Sequence, residues 1–543
     1  MQQLSQTVSD VILTQLSLWG VRRMYGVTGD AVLPLIHAVS QQKSIQFIAT
    51  RHESAAAFMA SAEGKCTGRI AACIGTSGPG LVNMLNGIAD AAADHVPMLV
   101  ITGQVETKKV GTEAKQYVDQ QQMIAPLAVY SASLLHPDAT VKILQKAILE
   151  AYSKRGVAHI SVPKDIFKAP CSLQARQPVG ILHTNKAQNV TQLDQVVHFL
   201  SSAKKPMMLI GEGARNASVA VAKLAETLRA GIVETLGAKG TVPYDHPLNV
   251  GGIGEGGSEE SRALLQQSDC VLVVGANWWP EGYVPKNTKV IHVDLNPESI
   301  EAHPEVVCGI VGDATDVLPL IQQHLSQRER QSWQQRIHNA KTTIHAALDQ
   351  ERQANVSPIA PQRLLAALDE SVDADAMITV DTGDHTVWFN RVFRAKRQHA
   401  LFSGKWRTMG FGIPGAIAAK LAHPNKQVVA LVGDGSFAIT MMEIATAVKY
   451  ETPITIVVVN NGSLAMEKNS MHAQGMQPFG VDLSSVDFAN LAVALGAKGI
   501  RVEIANDLSS ALNSAYTSGE PTVIDVLTSD EMPPFTYYKQ TVK

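Results

Sequence analysis

Residues 427–432 form an apolar run that stops at Gly433, Asp434, Gly435 and Ser436. A helical stretch over 437–450, a second β-rich run over 454–459 and the pair Asn460, Asn461 follow. Strand, helix, strand at this spacing is one βαβ unit, whose two strands lie parallel. Both strands then end at the same edge of a sheet. Asp434 and Asn461 meet at that carboxyl edge, where open α/β sheets bind ligands. An Asp carboxylate, an Asn amide oxygen and a main-chain carbonyl suit Mg²⁺ or Ca²⁺, and Mg²⁺ commonly completes its octahedron with phosphate oxygens and water. Gly435 and Ser436 open the next helix, whose unpaired N–H groups suit a diphosphate. Taken singly, GDGS and NNG are also ordinary turns. Their pairing across one βαβ unit is what points to a metal-diphosphate corner.

The rest of the chain repeats this rhythm. Helical periodicity over 8–18 and 81–93 alternates with β-rich runs at 70–74 and 98–102. Further runs occur at 206–210, 270–275, 290–294 and 377–380. Such alternation predicts an α/β protein of three doubly wound domains with parallel sheets. The expected boundaries are 1–173, 190–330 and 355–543. A polar linker at 174–191 separates the first two, and a charged, Gln-rich helical segment at 326–353 leads to the third. The first and third domains share one rhythm and read as two copies of one architecture. A length of 543 residues accommodates three such units.

Charge and cysteine usage narrow the class of partner. The 46 Lys+Arg against 49 Asp+Glu leave a net charge of -3 with no basic cluster, so nucleic acid and anionic membrane lack electrostatic support. Small molecules are the expected partners. Cys66, Cys73, Cys171, Cys270 and Cys308 follow neither a metal nor a disulfide spacing, and the N-terminus lacks a basic, apolar leader. The expected location is cytoplasmic.

Two segments of the first domain complete the pattern. Arg51-His52-Glu53-Ser54-Ala55-Ala56-Ala57 precedes Gly75-Thr76-Ser77-Gly78-Pro79-Gly80. Alone, Glu53 is an acid favoured in a helix's first turn. The Gly75–Gly80 loop lacks the Lys-Ser/Thr of a phosphate loop and is assigned no phosphate. With GDG and NN, however, these segments resemble the thiamin diphosphate (ThDP) enzymes, in the pyruvate oxidase and acetohydroxyacid synthase group. The resemblance implies Mg²⁺ on Asp434, Asn461 and the Ser463 carbonyl, with ThDP bound also by Gly435 and Ser436. It makes Glu53 the group that promotes the imino tautomer of the pyrimidine, from a pocket dry enough to raise its pKa. In Trp406-Arg407-Thr408-Met409-Gly410, it makes Met409 the wedge that bends ThDP and the Arg407 carbonyl the acceptor for the pyrimidine amino group, with Thr408 beside them. Met409 alone also reads as a core gap filler.

The same resemblance maps Gln116, in Gly111-Thr112-Glu113-Ala114-Lys115-Gln116, onto a residue that reaches the reacting carbons. Lys115 stands where the family has Phe, as a surface lysine or as the partner of an anionic substituent. Glu467 maps near the reacting carbon, with a surface pair to Lys468 as the alternative. In the middle domain, residues 254–257, 276–279 and Asp294 map onto FAD contacts. Two readings stay open there: a flavin site, or a middle domain without flavin in which Trp278 and Trp279 are core and Glu255 would repel a diphosphate.

The resemblance implies a ThDP- and Mg²⁺-dependent enzyme that decarboxylates a 2-oxo acid, pyruvate first, as a pyruvate oxidase-like oxidoreductase. The alternatives are an acetolactate synthase-like carboligase, a transferase, and a catalytically silent ThDP-fold binding protein. It also implies a homodimer or homotetramer with active sites between subunits. The residues after 534 are too few for a lipid-binding helix, so no membrane activation is expected.

Overall fold

The computed structural model describes residues 6–178, 193–301 and 305–534. Most of the expected linker at 174–191, and the tail 535–543, lie outside the described residues. Among those residues no helix is long and apolar enough to cross a membrane.

Three six-stranded sheets, parallel throughout and flanked by helices, make up the chain. The first holds β1 (Arg23–Gly26), β2 (Gln46–Ala49), β3 (Ala71–Gly75), β4 (Met98–Gln104), β5 (Ala128–Ser133) and β6 (Val157–Pro163), in the order β2-β1-β3-β4-β6-β5. The second holds β7 (Pro206–Ile210), β8 (Gly231–Glu234), β9 (Asn249–Gly252), β10 (Cys270–Val274), β11 (Lys289–Asp294) and β12 (Val306–Val311), in the order β12-β11-β10-β7-β8-β9. The third holds β13 (Met377–Val380), β14 (His399–Leu401), β15 (Val428–Gly433), β16 (Thr455–Asn460), β17 (Lys498–Val502) and β18 (Thr522–Leu527), in the order β14-β13-β15-β16-β18-β17.

Counted from its own first strand, each outer unit runs 2-1-3-4-6-5, so the first and third units are two copies of one topology. The middle unit runs 3-2-1-4-5-6, the order of dinucleotide-binding sheets. Central strands such as Val428–Gly433 and Thr455–Asn460 are apolar along nearly their whole length because helices cover both faces.

The outer units share a core. The Ala-rich helix Glu53–Thr67 lies against Gly412–Ala422, whose small residues let the helices approach closely, and Phe58 meets Phe411 edge to face at 6.2 Å. Lys65 locks this contact by donating to Asp90 (2.8 Å), Asp94 (2.7 Å) and the Phe402 carbonyl (2.8 Å). Helix Gln331–Arg352 buries Trp333, Ile337, Ile344 and Leu348 in the middle unit's core, and its last residue donates to Asp369 of the third unit at 2.8 Å.

One expected element differs. The continuous helix over 437–450 is broken into Asp434–Thr440, a tight turn at Met441–Glu443, and Ile444–Lys449. The break has two anchors. Thr440 donates to the Gly410 carbonyl (3.2 Å), and Glu443 turns to accept the amides of Arg51 (2.9 Å) and His52 (3.1 Å) from the first unit.

Candidate active site

Strand order places three loops side by side at the carboxyl edge of the third sheet. β13 neighbours β15, and β15 neighbours β16, so residues 381–385, 433–436 and 460–463 line one crevice. It is also where the strand order reverses, the usual ligand position of such sheets. Asp434 is buried; its Oδ1 accepts from Gly435 N (2.8 Å) and its Oδ2 from Gly462 N (2.7 Å). Asn461 Oδ1 accepts from Ser463 N at 3.1 Å, so both side-chain oxygens converge on the 461–463 turn. Burial pushes the Asp434 carboxyl above the usual range, against the pull of these amides. The Ser436 hydroxyl is engaged in its own turn, accepting from Gly433 N and donating to Gly433 O, so only its backbone faces a ligand question.

The loop after β13 escaped the sequence reading. His385 is fully buried with its ring against Gly433, and its Nε2 has no hydrogen-bond partner. Burial holds its pKa down at about 4, so the imidazole is neutral at pH 7. Asp384 accepts from Asn469 at 3.4 Å and is pushed up to about 7 by burial. Asp381, pushed up to about 6 by burial, accepts from Gly410 N (3.0 Å) and Gly412 N (2.8 Å). It thereby fixes the segment that carries Met409, whose methyl end reaches Gly435. Strand adjacency was the missing signal, because nothing in the spacing of Asp381-Thr-Gly-Asp-His385 says that β13 lies beside β15.

Thr408 links this segment to the first unit: its hydroxyl accepts from Asn86 (3.0 Å), and Trp406 Nε1 donates back to Asn86 (2.8 Å). One helical turn earlier, Asn83 donates to Glu53 Oε2 at 2.9 Å. Glu53 is the first residue of its helix, capped by His52, and is half-buried within one chain. Arg407 has left-handed backbone (φ 55°), and its side chain pairs with Glu255 at 3.1 Å.

Gln116, also left-handed (φ 65°), is exposed; its carbonyl accepts from Ser77 Oγ at 2.7 Å, which seats it on the Gly75–Gly80 loop. Lys115 and Glu467 are exposed. Lys468 pairs with Asp530 at 2.5 Å, so the surface pair weighed for Glu467 is not formed.

In the middle unit, Gly256 of the expected flavin stretch and nearby Gly252 have a packing use. A side chain on Gly256 would strike the Val387 carbonyl, and one on Gly252 would strike Asn390, both in helix Asp384–Val392 of the third unit. Trp279 is buried edge-on to His292, but Trp278 is half-exposed over Gly254 and is not core. Asp294 accepts from Asn296 N at 2.8 Å.

Three family models match the chain in order. The thiamine pyrophosphate enzyme N-terminal TPP binding domain covers residues 6–123, the central domain 193–321 and the C-terminal TPP binding domain 381–526. The chain belongs to the thiamine pyrophosphate enzyme family.

Among its relatives, the putative thiamine pyrophosphate-containing protein YdaP of Bacillus subtilis is 34% identical, covering 97% of this chain and 92% of that protein. The pyruvate oxidase of Lactiplantibacillus plantarum is 30% identical, covering 98% and 91%. The acetolactate synthase isozyme 1 large subunit of Escherichia coli is 29% identical, covering 96% and 93%. The chain is thus a ThDP-dependent enzyme of the pyruvate oxidase and acetolactate synthase group, thiamine pyrophosphate being another name for ThDP.

Within this thiamine pyrophosphate enzyme the crevice residues fit the cofactor's charged end. Asp434 and Asn461 offer oxygens side by side, and His385 Nε2 and Ser463 Oγ are buried without partners, as a cradle awaiting an anion would leave them. Among the described residues no three His, Cys, Asp or Glu side chains gather as a self-sufficient metal site. A divalent cation here needs a ligand's oxygens as well as the protein's.

Proposed function

We propose that the chain binds ThDP with Mg²⁺ in this crevice and decarboxylates a 2-oxo acid, pyruvate first, passing on the two-carbon unit in the manner of a pyruvate oxidase. The observation that carries the proposal is the convergence of Asp434, Asn461 and the unpartnered His385 Nε2 at the reversal of strand order in the third sheet. Asp434, Asn461 and the Ser463 carbonyl hold the cation. Gly435, by the close backbone approach its missing side chain allows, the Ser436 amide and the His385 ring hold the diphosphate, and Met409 supports the bend. ThDP, when bound, supplies a nucleophilic carbon and an electron sink, so that a 2-oxo acid can lose CO₂.

Glu53 holds the proton at the pyrimidine ring nitrogen and, with the Arg407 carbonyl, fixes the ring's orientation. Gln116 and Glu467 reach the reacting carbons, and Lys115 receives an anionic substituent. Glu53 is only half-buried in one chain, and Val82, on the helix that carries Asn86, and Trp406, which donates to Asn86, are exposed. These features support a homodimer or homotetramer in which a second copy covers Glu53 and completes the site.

FAD in the middle unit is supported by the 3-2-1-4-5-6 strand order, and Glu255, drawn onto Arg407, is not aimed at a diphosphate there. Asp294 would then hold a flavin-nucleotide hydroxyl. The carboligase reading keeps the same crevice and differs in the acceptor. Purified protein should carry ThDP by mass spectrometry, show a flavin absorption band, sediment as a dimer or larger, and release CO₂ from pyruvate with reduction of the flavin. Acetolactate formed without flavin reduction would move the assignment to the carboligase, and failure to bind ThDP with Mg²⁺ would leave a silent binding protein.

A further inference from the structure

Glu443 is a buried carboxyl group to which the crevice chemistry gives no task. It is 1% exposed and ends the turn Met441–Glu443 that interrupts the helical run from the GDG corner. Its Oε1 accepts from two successive backbone amides of the first unit, Arg51 N at 2.9 Å and His52 N at 3.1 Å, and its Oε2 accepts from the Thr446 hydroxyl at 2.6 Å. Burial disfavours its charged form and pushes its pKa up, while the two amides and the hydroxyl pull it back.

What these bonds hold is the approach to Glu53. Arg51 and His52 are exposed, and they immediately precede the first residue of helix Glu53–Thr67. Tyr450, which closes the helix Ile444–Lys449, grips the same approach: its hydroxyl accepts from Ala49 N at 2.7 Å and donates to the Phe47 carbonyl at 3.3 Å. The first unit adds the bond from Asn83 to Glu53 Oε2 at 2.9 Å. The two units are already joined by the Phe58–Phe411 core and by Lys65, so the contribution of Glu443 is local. It fixes the two residues before Glu53. Such fixing matters to chemistry, because a misplacement of about 1 Å can cost about 10²-fold in rate.

We propose that Glu443 is a positioning residue for the reaction: by holding the Arg51 and His52 amides, it sets the direction in which the helix start presents Glu53. The inference rests on the reading of Glu53 as the group that holds the pyrimidine proton. Glu443 acts through the backbone and touches neither cofactor nor substrate.

The test compares purified wild type with Glu443→Ala, which removes the acceptor, Glu443→Asp, which shortens it by one methylene, and Glu443→Gln, which keeps a carbonyl oxygen for both amides. Glu53→Gln serves as the reference. Turnover per ThDP-loaded site should fall about tenfold to a hundredfold in Glu443→Ala and Glu443→Asp, with KM nearly unchanged, and return to within about threefold of wild type in Glu443→Gln. Hydrogen exchange of the apoenzyme, read by mass spectrometry, should quicken over residues 47–56 in Glu443→Ala and Glu443→Asp, stay slow there in Glu443→Gln, and remain unchanged over β3. Wild-type turnover in Glu443→Ala and Glu443→Asp, alongside a loss in Glu53→Gln, would overturn the proposal and leave the reading of Glu53 standing. An equal loss in Glu443→Gln, or exchange that quickens throughout the chain, would also overturn it, since neither is expected of a local backbone anchor. Full turnover in Glu53→Gln would overturn the reading of Glu53 and the proposal with it. If Glu443→Ala fails to fold, Glu443→Asp against Glu443→Gln decides.

Discussion

The first and third units share one strand order yet differ at the point where that order reverses. In the first, the loops after β1 and β3 fill the crevice themselves: a methyl group on Gly29 would lie 2.5 Å from Thr76 Cβ, and Thr76 Oγ1 accepts from Ala31 N. In the third, the loops after β13 and β16 leave buried polar atoms, His385 Nε2 and Ser463 Oγ, without partners. The buried histidines tell the same story. His159 of the first unit has both ring nitrogens bonded, to Thr102 at 2.7 Å and Ser131 at 2.9 Å, whereas His385 keeps Nε2 free of any partner. One topology thus serves as a closed scaffold and as an open site, and polar satisfaction tells them apart.

The largest expected effect comes from the residue of the closed unit proposed to hold the pyrimidine proton. Glu53 stands on a helix start after β2, away from the filled crevice. Glu53→Gln should lower turnover by about 10²–10⁴-fold, the usual worth of a positioned proton-transfer group, with ThDP still bound. Steady-state CO₂ release combined with cofactor quantification checks this, and full activity in the mutant would remove Glu53 from the mechanism.

Next in size is a matched pair at equivalent strand ends. Asp434→Ala should weaken Mg²⁺-dependent ThDP binding by about a hundredfold or more, as loss of groups at metal sites typically does. Thr76→Ala, one residue past the end of β3, should leave it within a few-fold. Equal losses in both variants, read by calorimetry, would mean that the two crevices are not different in kind.

Much of this arrangement was legible in the sequence, and the reasons are local. Apolar runs with period-appropriate helices between them marked β7, β13, β15 and β16 within about a residue, because strands covered on both faces must be apolar throughout. Asp434 and Asn461 could be paired because one βαβ unit fixes their edge. His385 and Asp384 could not, since their part depends on β13 lying beside β15 through a crossover that no local pattern encodes. Gly256, within the stretch 254–257 mapped onto flavin contacts, has a packing use that no local pattern announces, since its missing side chain admits the Val387 carbonyl of another unit.

Packing offers a gentler form of the same comparison. Gly29→Ala would drive its Cβ against the backbone-fixed Thr76 Cβ and should cost about 1–3 kcal/mol in denaturant unfolding, with little change in ThDP affinity among the folded molecules. In Gly435→Ala the new methyl meets the flexible ends of Leu464 at 2.8 Å, Leu483 at 3.4 Å and Met409 at 3.9 Å. Stability should hardly change while diphosphate binding weakens, because the backbone can no longer approach the anion. Reversal of these two phenotypes would show the open and closed crevices to be wrongly assigned.

The smallest effect concerns the two histidines. Burial holds His159 down to about 3, so the native state refuses a proton that the unfolded chain accepts below about 6.5. The unfolded state then binds more protons, so stability rises with pH across this window and is lost as pH falls from about 6.5 towards 3. His159→Gln, which keeps a hydrogen-bonding side chain but cannot titrate, should flatten part of this acid slope in melting temperature and leave ThDP affinity unchanged. His385→Gln should do the opposite where it counts, weakening ThDP by about tenfold because the flexible amide does not hold its polar atom where the buried ring fixes Nε2. If His159→Gln weakened ThDP as much as His385→Gln, hydrogen-bond satisfaction would have failed to separate scaffold from site.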